Sequence, residues 1–316
     1  MKYPLIILLV ILLIALITAL AISCYLFYFI LNRHAKYKQS TDVLSKDPEE
    51  AKQAIRILTG SDDWKAYFFA NAEKWQLQSF DNLQLCARFL GNDSHDYAIL
   101  CHGFTGSHVE MLGRAEHLHS KGFNVLLPDA RAHGESEGLY RGMGFLEKKD
   151  LLQWISRIAG KDPMANILLF GQSMGAATVM MTAGQPLPPQ VKAVIQDCGY
   201  TSVWDVFSEQ LKKLYKLPTF PIMHIASLIS KKRAGYSFKE ASPLEHIARC
   251  RIPILMIHGE EDTFVPYAYL DRLYERTNSP KEKLVVHKAG HCMSIAKDNK
   301  LYWDTVDTFI EKYLHE

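Results

Sequence analysis

The sequence predicts an α/β fold: a mostly parallel sheet with helices on both faces, entered from a long apolar helix. Three observations carry this. Short apolar runs alternate with helix-patterned stretches along most of the chain. Gly171-Gln-Ser-Met-Gly175 lies between one such run, 166–170, and a small-residue segment. Residues 4–31 contain no charged side chain. Apolar strands separated by helices are what a parallel sheet covered on both faces requires.

The run 4–31 exceeds the roughly 20 residues needed to cross a ~30 Å hydrocarbon core. A cleaved signal peptide has a shorter apolar region, about 7–15 residues, and a small-residue exit site. No convincing exit site is found here. Ala21-Ile-Ser-Cys24 faintly resembles a lipoprotein cleavage site, but the next six residues stay hydrophobic. Residues 1–31 therefore read as an uncleaved single-pass transmembrane anchor. Arg33, Lys36, Lys38 and Lys46 follow the span and only Lys2 precedes it, which by the positive-inside rule puts the rest in the cytoplasm. A short tail with one lysine is equally how a signal anchor begins, which puts the rest at the cell surface. Both readings stand.

Residues 32–59 read as a juxtamembrane linker with a short helix. Asp47-Pro-Glu-Glu50 supplies its N-cap, its N1 proline and first-turn acids. Residues 60–316, roughly 255, suit one α/β domain. Within it, 74–90 read as two strands joined through Ser79-Phe-Asp-Asn82. Further strands are expected at 97–101, 124–127, 167–170, 191–196, 254–257 and 283–287. A helix is expected over 145–158, where Leu151, Leu152, Ile155 and Ile158 recur at 3/4 spacing.

Between about 201 and 250 the alternation lapses into helix-like pieces punctuated by Pro218, Pro221 and Pro243, a small helical cap insertion. From Phe207 to Lys239 it carries seven Lys/Arg and one acid, Glu209. That basic face could meet anionic lipid headgroups or simply be solvated. The net charge of +2 implies no nucleic-acid partner. The six cysteines show no C-x-x-C and no metal-ligand spacing, and Cys101, Cys198 and Cys292 read as small residues near strand ends.

The order of the motifs points to serine chemistry. Strand, sharp turn and helix around Ser173 would push its Oγ out of the sheet, the context of a nucleophile elbow. After 254–257 the chain reads His258-Gly-Glu-Glu-Asp262. Asp262 is the preferred orienting acid, because Gly259 permits the turn and Pro266 starts the next helix; Glu260 and Glu261 read as solvated. After 283–287, Ala289-Gly-His291 offers His291 as base, with His287 the weaker candidate. Oxyanion donors are the backbone N–H of Met174, at a helix N-terminus, and of Phe104 in His102-Gly-Phe-Thr-Gly106. The glycines of that loop would turn the amide inward, a plain glycine turn being the alternative.

Taken together, H-G-F-x-G, Asp129-Ala-Arg-Ala-His133-Gly-Glu-Ser136-Glu-Gly138, G-x-S-x-G, G-x-x-D and G-H resemble the α/β-hydrolase superfamily. They are most similar to its bacterial esterase- and serine-aminopeptidase-like branch, related to prolyl oligopeptidases. Asp197-Cys-Gly-Tyr-Thr201 and Arg233-Ala-Gly-Tyr236 also resemble that branch's membrane-anchored hydrolases. The chain order Ser173, Asp262, His291 is that superfamily's nucleophile, acid, base. The resemblance covers roughly 60–316 and implies that Asp129, Arg131 and His133 brace the loop beside the site. Cys292, after the base, departs from a position usually small or apolar.

These readings imply a serine hydrolase working through an acyl-enzyme on a small-molecule or lipid-like carboxylic ester, with neither cofactor nor metal. A serine peptidase of the aminopeptidase or oligopeptidase type is the enzymatic alternative. A membrane-tethered binding protein without turnover is the other. Natural substrate, acyl length and oligomeric state are not encoded in any motif.

Overall fold

The computed structural model describes residues 2–35 and 48–315. It opens on α1 (Lys2–Leu31), then α2 (Pro48–Thr59) and α3 (Asp62–Asn71). The sheet and its covering helices follow: β1 (Glu73–Gln78), β2 (Gln84–Leu90), β3 (Asp96–Cys101), α4 (Leu112–Ser120), β4 (Asn124–Pro128), α5 (Glu147–Lys161), β5 (Asn166–Gln172), α6 (Met174–Ala183) and β6 (Val191–Asp197). Next come α7 (Val203–Tyr215), α8 (Ile222–Arg233) and α9 (Pro243–Ile247) in the cap region. Then follow β7 (Ile254–Gly259), α10 (Ala268–Arg276), β8 (Lys281–Val286), α11 (Ser294–Lys297) and α12 (Asn299–Tyr313). The N-cap expected at Asp47 lies outside the described residues.

The eight strands run in the order β1-β2-β4-β3-β5-β6-β7-β8. Pairs β1–β2 and β2–β4 are antiparallel and the rest parallel. Alternation along each strand divides the core. On one face Leu100, Phe170, Ile195 and Ile257 pack against Leu112 and Leu118 of α4 and Tyr302 and Phe309 of α12. On the other, Ile99, Leu169, Val194 and Met256 pack against Trp154 and Ile155 of α5, Met180 of α6 and Leu270 of α10. Successive side chains point to opposite faces of a strand, so a sheet buried on both sides feeds two helix layers.

A third apolar cluster lies outside the sheet. It joins Met174 and Met181 of α6, Val206 and Leu211 of α7, Met223 and Ala226 of α8, and Leu26, Phe27 and Leu31 from the end of α1. The apolar side chains between Tyr3 and Ile17 that face outward are exposed. Tyr3–Leu31 is long and apolar enough to cross a membrane.

Three boundaries differ from expectation. The last strand begins at Lys281, opposite Ile254, and its ladder with β7 ends at the pair Gly259–Val286, so His287 falls beyond it. Helix α10 begins at Ala268, two residues after Pro266. Helix α3 has no counterpart among the expected elements: it is only ten residues long, and only Phe68 is buried. It forms through the Ser61 cap, whose Oγ accepts the Trp64 N–H at 3.2 Å.

Candidate active site

Parallel register brings Cys101, Gln172, Asp197, Gly259 and Val286 to one end of the sheet. The loops leaving β3, β5, β7 and β8 there carry every candidate residue. Ser173 sits between β5 and α6 at φ 53° and ψ −112°, a conformation that costs a non-glycine residue on the order of 1–3 kcal/mol. The neighbouring structure enforces it. A Cβ on Gly171 would collide with the Gly175 carbonyl, and one on Gly175 with the Cys101 carbonyl. Strand and helix meet without room for side chains, so the serine between them is turned outward.

The floor of the turn is rigid. Ser173 N–H donates to Asp197 O at 2.8 Å. The Asp197 carboxylate, fully buried, accepts from Arg114 Nη2 at 2.7 Å and from the Tyr302 hydroxyl at 2.9 Å. Removing one member of such a buried pair costs about 3–5 kcal/mol.

Ser173 Oγ lies 2.9 Å from His291 Nε2, and His291 Nδ1 lies 2.7 Å from Asp262 Oδ2. Asp262 Oδ1 accepts the N–H groups of Phe264 (2.9 Å) and Val265 (2.8 Å), and His258 Nε2 stands 3.3 Å from Oδ2. Burial alone would raise the Asp262 carboxyl. The His291 charge and the bonds from His258 and His291 outweigh it and hold the group well below the usual carboxylate range. Of the competing acids, Glu260 and Glu261 are exposed, and Glu260 pairs with His287, itself exposed. The loop of 291 reaches the rim because β7 and the turn after β8 nearly touch: a Cβ on Gly259 would strike the Ala289 carbonyl.

The loop after β3 packs against the serine; a Cβ on Gly103 would sit 3.6 Å from Ser173 Cβ. Its left-handed residue is Thr105, at φ 63°, and neither Gly103 nor Gly106 has a positive φ. The turn is held from outside. Thr105 N–H donates to His133 Nε2 at 3.3 Å, and His133 Nδ1 bonds Arg131 O at 2.8 Å. His102 Nδ1 bonds Gly103 O at 2.7 Å while its Nε2 accepts Ala130 N–H at 3.0 Å. Both imidazoles are kept neutral by burial, which is what lets Nε2 accept. Asp129 Oδ1 takes the His108 N–H and Nδ1–H, and Arg131 forms a two-point pair with Asp150. His133 thus ties down the loop that carries Phe104, while Asp129 holds His108 just after that loop and the Arg131 carbonyl holds His133. Met174 is the first residue of α6, where amides have no carbonyl within the helix.

One neighbour escapes any reading of spacing. Cys198, beside the end of β6, and Cys292, beside His291, bring their sulfurs to 3.4 Å across 94 residues. With His291 their ligand atoms lie within 4.8 Å of one another. The Cys198 thiol and the His291 charge lower the Cys292 pKa, while burial raises that of Cys198. Burial disfavours the His291 imidazolium, but the charges on Cys292 and Asp262 prevail and put its pKa well above the ordinary value.

Beside Ser173 opens an apolar cleft of about 580 Å³, walled by Phe104, Met143, Val206, Phe207 and Phe264 and, from α1, Phe29 and Ile30. Among the described residues, its lining includes no carboxylate.

A family model of the alpha/beta hydrolase fold matches residues 99–217. Uncharacterized protein YqkD of Bacillus subtilis is 33% identical over 224 residues, 70% of this chain and 72% of that protein. Uncharacterized protein YfhR of Escherichia coli K12 is 24% identical over 241 residues, 74% and 76% of the two chains. Among solved structures, the Pyrococcus furiosus esterase Pf2001 superposes with a TM-score of 0.65 at 24% identity, over 77% of this chain and 92% of its own. Pyrococcus horikoshii acylaminoacyl peptidase does so at 0.58 and 17%, over 76% and 41%. With its elbow, its strand order and these relatives, this chain belongs to the α/β-hydrolase superfamily.

Proposed function

We propose that this chain is a serine hydrolase that acts on carboxylic esters through an acyl-enzyme, with Ser173 as nucleophile, His291 as base and Asp262 as orienting acid. The observation that carries the reading is the unbroken chain Ser173 Oγ–His291 Nε2 (2.9 Å) and His291 Nδ1–Asp262 Oδ2 (2.7 Å). His291 Nε2 takes the Ser173 proton as Oγ attacks the ester carbonyl carbon. Asp262 holds the ring and stabilises the imidazolium. The N–H groups of Met174 and Phe104 receive the developing oxyanion. His291 returns the proton to the departing alkoxide, and water then attacks the acyl-serine by the same route.

The apolar cleft, with no carboxylate among the described residues that line it, supports an ester over a peptide with a free amino terminus, whose ammonium would need an anionic partner. Its likeness to an esterase shows the fold alone. Helix α1 acts as a single-pass anchor: its outward apolar side chains from Tyr3 to Ile17 have no protein cover and call for lipid.

The test is a panel of p-nitrophenyl esters of graded length beside aminoacyl-anilides, with Ser173→Ala as control. Ester turnover that vanishes in the variant supports the proposal. Faster turnover of the anilides would make the enzyme a peptidase. A folded chain that neither turns over nor takes a fluorophosphonate at Ser173 would be a binding protein. Protease shaving of intact cells assigns the side of the membrane.

A further inference from the structure

The end of α1 is built into the domain in a way that tethering does not require. From Tyr3 to Thr18 every position is exposed, a length of about 24 Å at 1.5 Å per residue. That approaches the ~30 Å hydrocarbon thickness. From Ala19 onward one face turns inward, at Ala19, Ser23, Leu26, Phe27 and Leu31, the three- and four-residue steps of a helix packed along one side. This face lies against α8, where Ser23 Oγ donates to Ile222 O at 3.0 Å.

The terminal carbonyls of α1 are taken by the domain. Arg141 Nη1 donates to Ile30 O at 2.8 Å and Asn32 O at 2.9 Å, and its N–H to Leu31 O at 2.9 Å. The same guanidinium lies 5.0 Å from the centre of the Phe104 ring. One side chain therefore ties the end of α1 to the loop facing Ser173.

Where α1 docks, the cleft continues. Phe29 and Ile30 line the cavity that holds Ser173. Ile30, with Phe207 and Tyr215 of α7, also lines an adjoining apolar cavity of about 440 Å³, together with Leu26 and Phe27. The path from the nucleophile thus runs along α1 itself, back towards its exposed, lipid-suited length. On the cap, Phe220 and Leu228, before and on the helix that packs α1, are exposed at 72% and 70%. Large apolar side chains in that position suit contact with a bilayer surface.

Resting on the ester-hydrolase reading, we propose that the last turns of α1 form a wall of the acyl site and that the substrate is a long-chain acyl ester of a membrane lipid, its chain lying between Ile30 and α7 with its carbonyl at Ser173. The anchor is then part of the binding site.

The test uses the full-length chain in phospholipid nanodiscs and alkyl fluorophosphonates of short and long chain, which react at Ser173 without needing turnover. Wild type should label faster with the long probe. Ile30→Trp, which intrudes on the path, should lower the long-to-short ratio by at least about tenfold, the displacement of two or so methylenes. Leu13→Trp, on the exposed length, should leave that ratio unchanged. A ratio insensitive to Ile30→Trp overturns the proposal. If that variant does not fold, a long-chain fluorophosphonate carrying a terminal diazirine decides with wild type alone. Cross-links to α1 support the wall, whereas cross-links elsewhere overturn it and leave the hydrolase standing. No labelling by even the shortest probe would instead defeat the hydrolase reading.

Discussion

The rim that carries Ser173, Asp262 and His291 and the cleft beside it are held by opposite means. At the rim, directional bonds of 2.7–2.9 Å fix the side chains, and steric closure at Gly171 and Gly175 fixes the backbone. In the cleft the walls are faces of α1 and α7 with Phe104, Met143 and Phe264, placed by apolar packing. Hydrogen bonds lose their worth within a few tenths of an ångström, whereas packing yields and refills. Change at the rim should therefore alter rate, and change in the wall should alter which acyl group is accepted.

The largest effect that would break this contrast is at the proposed nucleophile. Ser173→Ala is expected to lower kcat about 10⁵–10⁶-fold and abolish fluorophosphonate labelling, with the folded far-UV spectrum retained. Residual activity within tenfold of wild type would remove Ser173 from the chemistry. Next comes Asp262→Asn. An amide in that place can offer His291 Nδ1 the wrong hydrogen-bonding partner, and kcat should fall about 10⁴-fold, read by ester hydrolysis at pH 8.

His133→Ala sharpens the comparison, because it acts on the rim without touching substrate. Loss of the acceptor for Thr105 N–H frees the loop bearing Phe104. We expect kcat to fall about 10–100-fold with KM little moved, since the donor is needed more in the transition state than in the ground state. An equal rise in KM with constant kcat would show that the loop serves binding instead.

The smallest effect is a shift in pH. Negative charge on Cys292 contributes to keeping the His291 pKa above the ordinary ~6.5. The free base is the working form, so the acid limb of kcat/KM should lie on the alkaline side of that value. Cys292→Ala removes that charge, lowers the pKa and moves the limb to lower pH, with less than about a tenfold change at the plateau. A limb that stays in place would mean that Cys292 bears no charge when the enzyme works.

Local signals made much of this readable beforehand. Each of the strands expected beyond residue 90 is present, most of them longer by a residue or two, since ladder pairing extends past the purely apolar stretch. The elbow was legible because its glycines are a steric necessity that leaves a mark in five consecutive residues. The loop of Phe104 was legible in position but not in conformation. Its glycines suggest the turn, yet Thr105 takes the left-handed angle under restraint from His133, 28 residues away. Helix α3 left little mark because it is short and its apolar spacing is confined to Trp64, Tyr67 and Phe68, of which only Phe68 is buried. Nothing in 4–31 distinguished the docked end from the exposed length, since a uniformly apolar segment has no face to read.

By itself, the sequence determined the class of fold and singled out Ser173, Asp262 and His291, in that order, as the candidate site residues. Strand periodicity, glycine sterics and turn chemistry all act over a few residues. Tertiary structure alone decided that Cys198 meets Cys292, that Arg141 joins the end of α1 to Phe104, and that α1 walls the cleft. Those contacts arise where elements remote in the chain pack together. Their partners are chosen by shape and by the need to satisfy buried polar groups, which no local pattern records.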